Sequence, residues 1–200
     1  MKAILNNVRT LIHFREQEIQ LEFPEFPTHV KLTERRRVKG KRGEKSVMIN
    51  KPRFLKINGQ GIYNRTFEKF AQAKMISFMK QWLKDSIERN PDYKKIPGIL
   101  ELNYPLSLSC EVHSPINYGN YKIKAEAEEL LKPKSNSASK WDLLNFGWIW
   151  IKCFEDFLTE NKFITDDSIE FLQSTGSLSW KNTPDINNRK LIFKLSWKEK

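Results

Sequence analysis

The chain has 200 residues, of which 39% are hydrophobic and 12% aromatic, enough for one compact core but too few for two independent domains. No stretch approaches the length of a membrane span, and the N-terminal apolar run is soon broken by asparagine and arginine, so we expect a cytoplasmic protein with no membrane partner. The formal net charge is +11. Cys110 falls on the apolar side of a predicted strand and Cys153 inside a predicted apolar helix, so both are predicted to be buried free thiols, and neither belongs to a zinc-binding spacing.

The first predicted strand covers residues 17–23, where Ile19, Leu21 and Phe23 alternate with polar residues. The basic segment that follows, residues 31–56, carries eleven basic residues against two glutamates and therefore holds most of the surplus charge. Two glycines and the absence of apolar periodicity predict that it is a mobile loop or arm inserted in the single domain of residues 1–200. Its central basic residues are Arg35, Arg36, Arg37, Lys39, Lys41, Arg42 and Lys45.

Such a dense basic segment is typical of nucleic-acid binding, because phosphate contacts and counterion release give affinity without sequence preference. A solvated run of charges, or a basic patch of the kind used in targeting, is the plainer alternative. Binding to a membrane surface is less favoured, since no amphipathic basic helix accompanies the run. We therefore predict that this arm contacts DNA.

A long helix is predicted over residues 64–89, and Pro91 ends it because the residue before a proline avoids the helical region. One apolar stripe of this helix is predicted to be core; it comprises Phe67, Phe70, Ala71, Met75, Phe78, Met79, Trp82 and Leu83. A second alternating strand is predicted over residues 106–112, with Glu111 and His113 on the face opposite Cys110. A second insertion, residues 117–140, is predicted to be a short helix followed by a flexible tether.

A second apolar helix follows this tether, because Leu144, Trp148, Ile151, Phe154 and Leu158 recur at helical spacing. Asp142 lies near its start and Asn161 at its expected end. A strand is predicted from residue 168, so that Asp166 and Asp167 fall where a loop becomes a strand. Residues 168–180 and 189–197 are predicted to pair as a hairpin.

These elements predict an α+β fold, with a single small mixed β-sheet in β-α-β-α-β-β order and two main helices packed on one face. The acidic residues at the two ends of the second helix suit a hard divalent cation, which commonly takes one or two protein carboxylates and fills its other positions with water and phosphate oxygens. The plainer alternative is that Asp142 caps its helix and that Asp166 or Asp167 caps a turn.

This segment resembles the RusA family of Holliday junction resolvases. The family signature is an Asp-x-Asp-Asn motif that opens a helix, a lysine further along the helix, and an Asp-Asp pair after the next turn. In this sequence Asp142 matches the first acid, Asn145 the asparagine, Lys152 the lysine and Asp167 the last acid.

The resemblance implies a structure-selective endonuclease of the crossover junction endodeoxyribonuclease type, acting on branched DNA with Mg²⁺ or Mn²⁺ as cofactor. It implies that Asp142 and Asp167, with Asp166 beside them, hold the metal and that Lys152 stabilises the developing negative charge. It also implies a homodimer, a role in DNA recombination or DNA repair, and a phage or prophage setting.

Two departures from the family pattern bear on catalysis. Leu144 stands where the family has its second aspartate, and Lys152 comes about four residues later than usual, which turns the helix by about 400° and lifts the lysine about 6 Å along the axis. If the acidic site lies over the Glu111 face of the second strand, Glu111 is the candidate replacement for the missing acid.

Two alternative functions remain open. One is a DNA-binding protein of the same architecture in which cleavage is weakened or lost. The other is an interaction protein, in which the strongly apolar helical run over residues 146–154 forms part of a two-fold dimer interface.

Overall fold

The computed structural model describes residues 9–38, 47–57, 69–124, 129–132 and 143–199. Short 3₁₀ helices cover Pro91–Lys95, Tyr118–Asn120 and Ile186–Asn188. The three α-helices of the described residues are α1 (Lys69–Glu88), α2 (Ile96–Leu102) and α3 (Leu143–Glu160). The strands are β1 (Leu11–Arg15), β2 (Glu18–Pro24), β3 (His29–Val38), β4 (Val47–Lys56), β5 (Leu106–Ser114), β6 (Lys122–Lys124), β7 (Glu129–Leu131), β8 (Leu172–Asn182) and β9 (Lys190–Ser196).

The central sheet has five strands in the order β1-β2-β9-β5-β8. All neighbours are antiparallel except β5 and β8, which run parallel, so the prediction of a mixed α+β fold is confirmed. The predicted hairpin between β8 and β9 is wrong, because β5 lies between them and pairs with both. The connection through residues 183–189 therefore crosses one strand instead of closing a tight turn.

The core lies on one face of this sheet, where α1 and α3 both reach the same aromatic side chain. Phe23 of β2 contacts Trp82 of α1 and Phe154 of α3, with ring centroids 5.7 Å and 6.2 Å away. Phe154 also stacks on Phe193 of β9 at 4.0 Å between centroids. Two helices and two strands thus share one aromatic cluster, which fixes α3 firmly against the sheet.

Both predicted long helices are present. Ala71, Met75, Met79, Trp82 and Leu83 of α1 are buried as expected, whereas Phe70 is exposed. Residues 64–68, including Phe67, lie outside the described part of the chain.

The strand predictions around residues 17–23 and 106–112 are confirmed by β2 and β5. The edge strand β1 was not predicted from the sequence. The strand predicted from residue 168 is wrong at its start, because the amide nitrogens of Phe171 and Leu172 both donate to the Ser168 carbonyl in a turn, and β8 begins only at Leu172.

The basic segment is not a loop throughout, which corrects the prediction. Strands β3 and β4 pair as an antiparallel hairpin, while residues 39–46 lie outside the described part of the chain. Val30 and Leu55 at the base of the hairpin are buried, whereas Met48 further out is 57% exposed. The outer part has exposed residues at successive positions of β4, so alternation of apolar residues, the usual sign of a strand, is missing there.

The second insertion also differs from the prediction. Residues 129–131, expected to be helical, form strand β7, which pairs with β6. Residues 125–128 and the predicted tether at 133–140 lie outside the described residues.

Cys110 and Cys153 are buried free thiols, as predicted. No helix within the described ranges is long and apolar enough to cross a membrane.

Candidate active site

Lys152 lies in the second half of α3, with its side chain half exposed and three carboxylates around its ammonium group. Its Nζ atom is 3.1 Å from Oδ1 of Asp156, 3.3 Å from Oδ2 of Asp167 and 3.7 Å from Oε2 of Glu155. Glu155 and Asp156 follow Lys152 by three and four residues, so helical geometry alone puts them on its side of α3. We call Lys152, Glu155, Asp156 and Asp167 the Lys152 cluster.

Asp167 joins this cluster because the chain reverses after α3. The helix ends at Glu160, and Lys162 adopts a left-handed backbone with φ 59°, while the amide nitrogen of Phe163 donates to the Leu158 carbonyl at 2.8 Å. Phe163 and Ile164 are buried, so the returning loop is fixed on the core. The loop then brings Asp167 back to Lys152 at the surface.

Lys152 and Asp167 stabilise each other in their ionised forms. Burial lowers the pKa of Lys152, but the hydrogen bond and charge of Asp156 and the hydrogen bond of Asp167 outweigh it, so the pKa is raised above the usual lysine range. The hydrogen bond from Lys152 and its positive charge hold the pKa of Asp167 below the usual aspartate range. Both groups are therefore charged at neutral pH.

A second lysine extends the cluster to the neighbouring helix. Nζ of Lys80 on α1 is 3.5 Å from Oδ2 of Asp156 and 2.5 Å from Oε1 of Glu160. Asp156 therefore lies between two lysines and has both of its oxygens paired. Asp156 thus links α1 to α3, and this structural role explains its place in the cluster.

Glu155 is different, because its side chain is only 9% exposed. Among the described residues, its buried Oε1 atom has no hydrogen-bond partner, and Oε2 is approached by Lys152 at 3.7 Å. Burial raises the pKa of the Glu155 carboxyl. The positive charge of Lys152 lowers this pKa, and the negative charges of Asp167 and Asp156 raise it further. A buried carboxylate with one unpaired oxygen and a single long ion pair is costly to the fold.

Replacing Glu155 by glutamine is expected to raise the free energy of unfolding of the metal-free protein at neutral pH by about 1 to 2 kcal/mol. Each kcal/mol should raise Tm by roughly 2–4 °C. Because the pKa of Glu155 is raised in the folded state, its charged form costs stability above that pKa. Below the ordinary glutamate pKa of about 4.3 the group is protonated in both states, so the difference should vanish. Thermal melts with EDTA between pH 3.5 and 7.5 test this.

Glu160→Gln is the matched control, since it removes an exposed carboxylate from the same helix. It should destabilise the protein by less than about 1 kcal/mol. A Glu155→Gln variant less stable than the wild type at pH 7 would contradict the expectation.

Of the motif residues, Lys152 and Asp167 are brought together, at 3.3 Å. Asp142 lies outside the described residues, Asn145 is half-buried in the first turn of α3, and Leu144 is 58% exposed. Leu143, where α3 begins, is nine residues before Lys152, which is about 13 Å along the helix axis. Within the described part of the chain, the acids nearest Lys152 are those that follow it in sequence.

Asp166 and Glu111 have other partners. Oδ1 of Asp166 accepts a hydrogen bond from the amide nitrogen of Asp167 at 2.8 Å, which is the turn-capping use named above as the plainer alternative. Glu111 pairs with His113 on β5. Cys110 is in register with Phe193, which stacks on α3, so Glu111 points to the other face of the sheet. The condition under which Glu111 would replace the missing acid is therefore not met.

The predicted DNA-binding residues divide into two groups. Arg35, Arg36 and Arg37 lie on β3, in backbone register with Asn50, Ile49 and Met48 of β4. The others, Lys39, Lys41, Arg42 and Lys45, lie outside the described residues.

The apolar run of α3 is mostly inside the protein. Phe146, Ile149, Trp150, Ile151, Cys153 and Phe154 are all buried. Leu144 and Trp148 are the large apolar residues of α3 that are exposed, the latter at 38%. The run is therefore explained by the core, and it leaves little apolar surface on α3 for a dimer interface.

Glu155 and Asp156 are the members of the Lys152 cluster that the sequence analysis did not predict. The spacing of Glu155 and Asp156 from Lys152 was visible, but such pairs are common on helix surfaces.

Within the described ranges, no group of three or more His, Cys, Asp or Glu side chains is arranged to hold a metal ion. No protein-family profile matches the sequence, and no curated protein is similar enough to count as a relative.

Proposed function

We propose that this protein is a metal-dependent, structure-selective DNA endonuclease that cleaves phosphodiesters at branched DNA, as its resemblance to the RusA family implies. The observation that carries the proposal is the pairing of Lys152 with Asp167 at 3.3 Å on the surface, between residues fifteen positions apart. The basic hairpin and the net charge of +11 favour a polyanionic substrate.

The residues of the site suit the chemistry that phosphodiester cleavage requires. A bound Mg²⁺ or Mn²⁺ would neutralise the scissile phosphate and activate the attacking water. Asp167 offers an exposed carboxylate that stays ionised, and Oε2 of Glu155 lies 3.7 Å from the same lysine ammonium. Asp142 is proposed as a further acid, from the resemblance.

Lys152 is proposed to stabilise the negative charge that develops on the phosphate, as a pre-positioned cation does. Its ammonium is held by carboxylates of α3 and of the following loop, so it is already oriented before substrate arrives. A homodimer follows from this proposal, because paired nicks in two strands need two active sites.

The second candidate function is a junction-binding protein that does not cleave. It is favoured by the crowding of Lys152, whose ammonium occupies the space between the same carboxylates that would hold a metal. Leu144 in place of the second aspartate also favours a protein that binds junctions without cleaving them.

A four-way DNA junction incubated with the protein and Mg²⁺ or Mn²⁺ tests the proposal, with Asp167→Asn beside the wild type. We expect paired symmetric nicks from the wild type, and a loss of at least about 100-fold in the variant with binding retained. Asp92→Asn, which removes a surface aspartate paired with Lys95, is the control and should cleave normally.

Binding without nicks by the wild type would favour the second candidate. A protein that does not prefer junctions to linear duplex would contradict both.

A further inference from the structure

Helix α3 exposes one aromatic side chain, and it does so next to the Lys152 cluster. Trp148 is 38% exposed, and Leu144, one turn earlier on the same stripe of the helix, is 58% exposed. The other aromatic residues of α3 are all buried in the core: Phe146, Trp150, Phe154 and Phe157. The indole of Trp148 therefore presents an aromatic surface that the core of the protein does not cover.

The position of Trp148 relates it directly to Lys152. The two residues are four positions apart on α3, so they lie on one stripe of the helix, one turn or about 6 Å apart along the axis. Glu155 and Asp156 follow Lys152 on the helix, on the side away from the indole. Residues 143–151, in contrast, contain no charged side chain. The surface thus changes within one turn from uncharged and aromatic to charged.

We propose that Trp148 is a stacking platform for a nucleobase of the DNA whose phosphate lies at Lys152, and that it selects bases with an open face, as at a branch point. This rests on the proposed function for Lys152 but assigns the recognition of the branch to a residue outside the motif. Every base has a π-face, so an aromatic side chain binds bases without regard to sequence. In a linear duplex both faces of each internal base are already stacked, so the indole would find an open face where that stacking is interrupted.

The size of the exposed surface favours a base over a protein partner. On α3 it consists of Trp148 and Leu144, whereas a stable protein interface takes about 20 to 30 residues from each side. One helical turn is comparable in length with the separation of a base from its own phosphate, so a ring against the indole and a phosphate at the Lys152 ammonium fit one nucleotide. The net charge of +11 favours a polyanion over an uncharged planar ligand.

Fluorescence anisotropy of labelled DNA with the full-length protein in EDTA tests this without cleavage. Trp148→Ala should weaken binding of a four-way junction and of a single strand about 5- to 100-fold, the loss expected for one base stacked on an aromatic side chain. Binding of a linear duplex should not change, and neither should the slope of log affinity against log salt, because no charge is removed. Trp148→Phe keeps an aromatic face and should retain most of the affinity.

Phe14→Ala is the matched control. Phe14 is 40% exposed and lies on β1, at the opposite edge of the central sheet from β8, so the variant removes a similarly exposed ring from another part of the surface. It should bind all three DNAs as the wild type does. Equal affinity of Trp148→Ala and wild type for the junction and the single strand would overturn the proposal. An equal loss on all three DNAs, or a Trp148→Phe variant as weak as Trp148→Ala, would overturn it as well.

Three results keep this proposal separate from the proposed function. If the wild type nicks junctions and Trp148→Ala binds every DNA as tightly as the wild type, the proposed function stands and the platform is refuted. If no junction is cleaved but Trp148→Ala loses affinity for the junction and the single strand alone, the platform stands and the nuclease fails. A wild type that binds junctions no better than linear duplex refutes both. Thermal melts show whether each variant is folded.

Discussion

Replacing Lys152 by glutamine is expected to slow junction cleavage about 100- to 1,000-fold and, at the same time, to tighten the binding of Mn²⁺. Cleavage falls because the side chain that would stabilise charge on the phosphate is lost. Metal binding improves because the ammonium no longer competes for the oxygens of Glu155 and Asp167. The two effects are measured separately, by single-turnover cleavage at saturating Mg²⁺ and by Mn²⁺ titration.

The opposite signs make this variant informative. A lysine that merely holds the carboxylates in place would, on removal, weaken metal binding and cleavage together. Lys80→Gln is the control, because Lys80 also binds two carboxylates of α3 but touches neither Glu155 nor Asp167 in the described contacts. It should change both measurements by less than about threefold, a loss comparable with that of a surface ion pair. Unchanged cleavage by Lys152→Gln would remove Lys152 from the reaction.

Neutralising the arm is expected to weaken DNA binding strongly and without regard to sequence. The triple variant Arg35→Ala, Arg36→Ala and Arg37→Ala removes three positive charges from β3. If each contacts a phosphate, the slope of log affinity against log salt should fall by about 2.7, and affinity at moderate salt by roughly 10- to 100-fold. Fluorescence anisotropy with a labelled junction across a salt series measures both quantities.

The matched control removes three lysines outside the arm, in the variant Lys84→Ala, Lys94→Ala and Lys95→Ala. It lowers the net charge by the same amount, so it reports the effect of overall charge alone. An equal loss of affinity in both variants would mean that the arm has no special contact with DNA. Unchanged binding in the arm variant would exclude it from the interface.

The elements whose signature is local can be predicted from the amino-acid sequence alone. The apolar residues of α1 and α3 follow the helical repeat because they must all face one core. Asn161 marks the end of α3 because a helix must stop at a residue that tolerates the turn. In strands β2 and β5 apolar residues alternate with polar ones, since one face of each strand is buried. The proximity of Lys152 to Glu155 and Asp156 also follows from helical spacing alone.

Which strands meet, and which charged groups of the described residues have an unpaired atom, depends on the tertiary structure. Strands β8 and β9 are close in sequence and were expected to pair, yet both pair with β5, because strand order depends on how the whole sheet covers α1 and α3. The β3–β4 hairpin lacks alternation in its outer part because both of its faces are solvated there. The orphaned oxygen of Glu155 arises from the packing around α3, and burial of a single atom has no counterpart in sequence spacing.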